Sequence, residues 1–199
     1  MEWVFWVTAL CSFVVVVLFF VLYGWSDVKC VWPPCISELI EVHKTLITLF
    51  FGFSCAMIWF NLLLISLIKQ NEQMAMLCCV IFFAFMGILS FDVSQNALFH
   101  CIFVALYVAS SCWYVNLAVS PENLEVTVAV NVLSACFVAV AVMRFTQARI
   151  SSALKYTFTL VECLWVASFY CYTLINSCMN RKNFDRLLHT NNTAAIIYS

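Results

Sequence analysis

Three ionisable side chains stand where an otherwise apolar sequence gives little reason for them. Asp92 and His100 lie in the stretch Gly87-Ile88-Leu89-Ser90-Phe91-Asp92-Val93-Ser94-Gln95-Asn96-Ala97-Leu98-Phe99-His100, and Glu162 lies in Leu160-Val161-Glu162-Cys163-Leu164-Trp165. Two carboxylates and an imidazole gathered in a water-poor pocket could perform acid–base chemistry or share a metal ion. The plainer reading is that Asp92 and His100 neutralise each other across a turn. Glu162 must then be protonated, partnered or near an interface, with Lys155, Arg149 and His100 as partners to test. A second kind of chemistry is offered by Cys30-Val31-Trp32-Pro33-Pro34-Cys35. The prolines hold this loop extended, and Cys30 and Cys35 are a candidate disulfide on an oxidising side of a membrane, with two unpaired thiols as the alternative. A metal there would need two further ligands, and the loop offers only His43 and carboxylates. Cys178, beside Asn180-Arg181-Lys182, is a candidate palmitoylation site.

The elements that position these groups follow from composition. The chain has 199 residues, is 65% hydrophobic and 10% charged, and has a mean hydropathy of +1.02, more apolar surface than one soluble core can hide. The bilayer must be its solvent. Its net charge is −1 and its cations are scattered, so nothing tracks a phosphate backbone and nucleic acid is excluded as a partner. About 20 apolar residues cross a hydrocarbon layer of roughly 30 Å. The sequence predicts an all-α membrane protein, six transmembrane helices in one bundle over residues 1–182, with spans near 3–24, 45–68, 74–91, 97–119, 126–143 and 156–178. The first is read as a true span rather than a signal peptide, because it starts with Glu2 and is too long for an h-region. Residues 183–199 are expected to form a short cytosolic tail without regular structure.

Asp92, Gln95 and Asn96 thus fall at the turn between the third and fourth spans, where polar groups cost little. The connection Lys69-Gln70-Asn71-Glu72-Gln73 is so short that spans two and three must form an antiparallel hairpin. Asn61, Asn116 and Asn131, inside spans two, four and five, are expected to hydrogen-bond across helices. Cys78, Cys79 and Gly87 read as packing positions. Ser120-Pro121-Glu122-Asn123-Leu124-Glu125 reads as a helix N-terminus with its carboxylates in the favourable first turn. Cations fall on both sides of the membrane in any topology and do not set orientation. The cysteine loop favours a cytosolic N-terminus, which leaves the sequon Asn191-Asn192-Thr193 in the cytosol and unused.

Three separated segments together resemble the six-span damage-regulated autophagy modulator (DRAM) family and its small polytopic relatives. Pro34-Cys35-Ile36-Ser37-Glu38 resembles that family's Pro-x-Ile-Ser-Asp element, with Glu38 for Asp and without the following Gly; Pro34, Ile36, Ser37 and Glu38 carry the likeness. Gly87 to His100 is similar to its turn between helices three and four, which ends in a His opening the next span. Glu162 and Trp165 look like its acidic-aromatic pair in helix six, here three residues apart rather than adjacent. The resemblance implies a membrane protein without demonstrated enzymatic activity and with both termini in the cytosol. It implies a role at lysosomal or endosomal membranes in autophagy. Relatives at the plasma membrane support phosphoinositide kinase complexes, and others serve lipid-anchor remodelling.

Three functional classes remain in view. A regulatory bundle recruiting protein partners at its cytosolic face is favoured, because the sequence has no nucleotide loop and no paired nucleophile and base. No catalytic residue, cofactor or resident metal is assigned, although a bound lipid is compatible with this reading. An intramembrane lipid-handling enzyme would use Asp92, His100 and Glu162. A small transporter or channel would use Glu162 and the buried amides, although no inverted repeat or broken helix is visible.

Overall fold

The computed structural model describes residues 10, 44–91, 93–146 and 151–197. The secondary structure of the described residues is helical: α1 (Lys44–Ile68), α2 (Glu72–Ser90), α3 (Val93–Leu117), a 3₁₀ turn (Pro121–Asn123), α4 (Leu124–Thr146) and α5 (Ser152–Ile197). Among the described residues, four segments are long and apolar enough to cross a membrane: Glu72–Ser90, Asn96–Leu117, Leu124–Met143 and Ala153–Asn176. They match the third to sixth predicted spans to within a few residues. The second predicted span is helical as α1, which contains the shorter apolar stretch Cys55–Leu67. The first predicted span, apart from Leu10, and the loop with Cys30, Pro34, Cys35, Ile36, Ser37 and Glu38 lie outside the described residues. One expectation is corrected: the C-terminal segment, read as lacking regular structure, continues α5 as far as Ile197. Its few helix breakers and its Leu187-Leu188 and Ala194-Ala195 pairs let a helix already nucleated inside the span propagate outward.

Local chemistry explains the joints. After α1, Gln70 takes a left-handed conformation (φ 51°) that turns the chain. Asn71, in extended backbone, then caps α2 by accepting from the Met74 N–H at 3.1 Å, with Glu72 in the first turn of the helix. The tight joint makes α1 and α2 the expected hairpin. Between α3 and α4, Asn123 Oδ1 accepts from the Ser120 N–H at 2.7 Å while its Nδ2 donates to the Ala118 carbonyl at 3.1 Å. Pro121 fits this turn because its absent N–H is one that a helix start leaves unused.

Successive helices pack as neighbours, and α1 closes the bundle against α5. Aromatic rings mark the seam. Trp59 of α1 lies 5.7 Å from Tyr107 of α3 and 5.6 Å from Phe169 of α5, centroid to centroid. Tyr107 in turn meets Trp165 edge-on at 5.6 Å, and Trp165 lies parallel to Phe169 at 5.9 Å. Because lipid tails are as apolar as these side chains, what holds such a bundle is close packing and interhelical hydrogen bonding rather than escape from water.

Candidate functional site

The turn between α2 and α3 is built from aromatic rings and one histidine. Phe91 stacks on Phe99 at 5.4 Å and on Phe103 at 5.5 Å, which folds the start of α3 back over the end of α2. Asn96 breaks the helical backbone (φ −152°, ψ 73°) and accepts from the Phe99 N–H at 3.4 Å, so the apolar span begins anew at a capping asparagine. His100 is buried, and its Nδ1 lies 2.7 Å from the Phe91 carbonyl oxygen. A carbonyl can only accept, so Nδ1 carries the proton. The ring thereby ties the first full turns of α3 to the end of α2. Asp92 lies outside the described residues.

Glu162 is buried at 7% exposure within α5, on the bundle side rather than toward lipid. Three residues on, Trp165 meets Tyr107 of α3. The helices alternate in direction, so α3 and α5 run parallel. His100, seven residues before Tyr107, and Glu162, three before Trp165, therefore lie toward the same end of the bundle, about 6 Å apart in height at 1.5 Å per residue. The structure thus brings the buried histidine and the buried carboxylate to one half of the interior. Lys155 sits two turns before Glu162 on the same helix and is half-buried. Arg149 lies outside the described residues, and so does the side chain of Cys178. Among the described residues, no three His, Cys, Asp or Glu side chains gather as a metal site would require.

No protein-family model, curated protein or solved structure matches this chain.

The polar interior holds more than the sequence reading found. Ser134 of α4 donates to the Val130 carbonyl at 2.6 Å and accepts both from Trp165 Nε1 at 2.6 Å and from Cys112 Sγ at 2.8 Å. One hydroxyl with its single donor and both lone pairs engaged therefore ties α3, α4 and α5 together. Nearer the α1–α2 hairpin, the Leu62 carbonyl accepts from Ser66 Oγ at 2.7 Å and from Tyr114 OH at 3.3 Å, with Cys78 Sγ 3.7 Å from Ser66 Oγ. Cys55 Sγ and Tyr170 OH are 2.8 Å apart between α1 and α5. These bonds were not legible because each residue is small or aromatic and reads as packing until its neighbour is known. The one signal available was the recurrence of Ser, Cys and Tyr inside spans that could have been wholly aliphatic. Asn116 and Asn131 do bond across helices as expected, each donating to the other at 3.0 Å. Cys78 is buried as expected, whereas Cys79 faces outward.

Ser134→Ala should separate the hub from ordinary packing. It leaves the Trp165 N–H and the Cys112 thiol without their acceptor in a dry interior, at a cost of about 1–2 kcal/mol. The expected result is a lowered melting temperature in detergent micelles with the helical content of the native state unchanged.

Proposed function

We propose that this chain is a six-span, non-catalytic membrane protein that modulates autophagy at lysosomal or endosomal membranes by recruiting protein partners to its cytosolic face. What supports this reading is the use made of the interior polar groups. His100 spends Nδ1 on a backbone carbonyl, Ser134 is saturated by three partners, and Ser66 and Tyr114 converge on one carbonyl. Side chains occupied in joining helices leave the loops and outer faces as the surfaces on which the protein acts. The likeness of Gly87–His100 and of Glu162 with Trp165 to the DRAM family supplies the process. A fluorescent fusion imaged beside lysosomal and plasma-membrane markers, together with autophagic flux in cells lacking the protein, tests it. Lysosomal coincidence and altered flux are expected; normal flux with unchanged phosphoinositide levels would overturn the regulatory reading. Plasma-membrane residence with altered phosphoinositides would move the protein to the kinase-supporting branch of the resemblance.

The burial of Glu162 favours one second reading, a small transporter that uses this carboxylate. Intramembrane ionisable groups facing a bundle interior mark ion or substrate paths in many transporters. Solute or proton flux in proteoliposomes that is lost in Glu162→Gln would support it, and flux that persists would remove it.

A further inference from the structure

Of the four apolar segments, Leu124–Met143 in α4 is the least covered by the rest of the molecule. Its inward face carries Thr127, Val130, Ser134 and Phe137. Beside that face runs a second stripe, Leu124, Val128, Asn131, Ala135, Val138 and Val142, spaced four, three, four, three and four residues apart. Leu124, Val128, Val138 and Val142 are each at least half exposed, Ala135 is exposed and Asn131 is half-buried. Alternation of three and four is the spacing that keeps one seam of a helix facing a partner helix along its whole length. Apolar residues on a lipid-facing helix need no partner, since lipid satisfies them. The asparagine does.

Asn131 lies about 10 Å inside the span at 1.5 Å per residue from Leu124. Its amide has two donors and two lone pairs. One N–H goes to Asn116 Oδ1 and one lone pair takes the Asn116 N–H, both at 3.0 Å. The second N–H of Asn116 is spent on the Cys112 carbonyl at 2.7 Å. One N–H and one lone pair of Asn131 therefore stay unengaged among the described residues, at a depth where lipid offers neither donor nor acceptor. A group with one donor and one acceptor left over is complementary to itself.

We propose that α4 is a dimerisation helix, and that a second copy of this chain packs along this stripe with the two Asn131 amides hydrogen-bonded to each other. Copies inserted in the same orientation carry parallel α4 helices. A two-fold axis along the membrane normal then sets each residue against its own counterpart, so Asn131 meets Asn131 at one depth and no other register pairs both amides. A single polar residue in an otherwise apolar seam fixes register in this way in coiled coils. Ala135, one turn on, lets the backbones approach closely beside the amide pair. The proposal rests on membrane insertion alone and not on the autophagic reading, so the two can fail separately.

The test is stepwise photobleaching of full-length protein, labelled once at a terminus and reconstituted in phosphatidylcholine vesicles over a range of protein densities. Wild type is expected to bleach in two steps, with a dimer fraction that rises with density. Asn131→Leu should weaken association about five- to tenfold while keeping the seam apolar, and Asn131→Gln should restore most of it. Ala135→Trp leaves the amides untouched on an exposed position and should abolish the dimer by bulk alone. Single-step bleaching of wild type at every density overturns the proposal, as does wild-type dimerisation of Ala135→Trp. Should Asn131→Leu fail to fold, Ala135→Trp decides.

Discussion

Trp165→Ala is expected to lower the unfolding free energy by about 3 kcal/mol. The ring is 3% exposed and sits among Tyr107 of α3, Phe137 of α4 and Phe169 of α5, with centroids 5.6 to 6.2 Å away. The figure lies at the low end for an aromatic truncation because the side chain is surrounded by lipid-like matter in either state. Lost contacts and a residual cavity remain as costs, and the water-transfer part does not. Trp165→Phe separates ring from hydrogen bond. It keeps most of the packing but removes the N–H that reaches Ser134 at 2.6 Å, and should cost about 1 kcal/mol. Combining it with Ser134→Ala should cost less than the sum of the two, since each removes the same bond. Circular dichroism through a dodecyl sulfate titration in mixed micelles measures all four proteins. Full additivity would show that the Ser134 hub is not a coupled unit.

Gly87→Val should be of similar size for the opposite reason, too much volume rather than too little. A Cβ at Gly87 would fall well inside contact distance of Cδ1 and Cγ of Phe103. Phe103 cannot simply swing aside, because it stacks on Phe91 at 5.5 Å and meets Phe83 edge-on at 5.6 Å. Gly87→Ala adds one carbon that must displace the ring, a cost of about 1–3 kcal/mol that is offset by about 1 kcal/mol of helix propensity. Valine keeps only a small part of that offset and adds two more methyl groups, so a net loss of about 3 kcal/mol is expected. Shrinking the opposing ring gives the decisive comparison: Gly87→Ala with Phe103→Leu should recover much of the stability lost by Gly87→Ala alone. No recovery would mean that α2 and α3 do not close on each other through this pair. Because Phe91 also carries the carbonyl that holds His100, the same substitutions should loosen the histidine.

The two expectations show which parts of the molecule were legible before its structure. Apolar runs of span length, Asn71 and Asn96 as breaks, Pro121 in a turn and Glu125 in a first turn are local facts. Each is governed by hydrogen bonding within a few residues or by the thickness of a bilayer, so the third to sixth spans fall within a few residues of where the sequence puts them. The tail was misjudged because polarity alone does not stop a helix that a preceding span has already nucleated. Glycine at position 87 could be read as a packing residue, since a bare backbone in an apolar helix has little other use. That Phe103 fills the space could not be read.

By itself the sequence determined the solvent of this protein, its helical class, and the helix ends from the second predicted span to the end of the fifth. Those properties depend on total apolar surface and on neighbours along the chain. Only the tertiary structure decided that His100 secures the Phe91 carbonyl, that Glu162 is turned inward, that Ser134 joins three helices, and that Asn131 pairs with Asn116. Hydrogen bonds are short and directional, so their partners are fixed by the rotation and height of one helix against another. A residue string carries the 3.6-residue period of each helix, but not the angle at which one period meets the next.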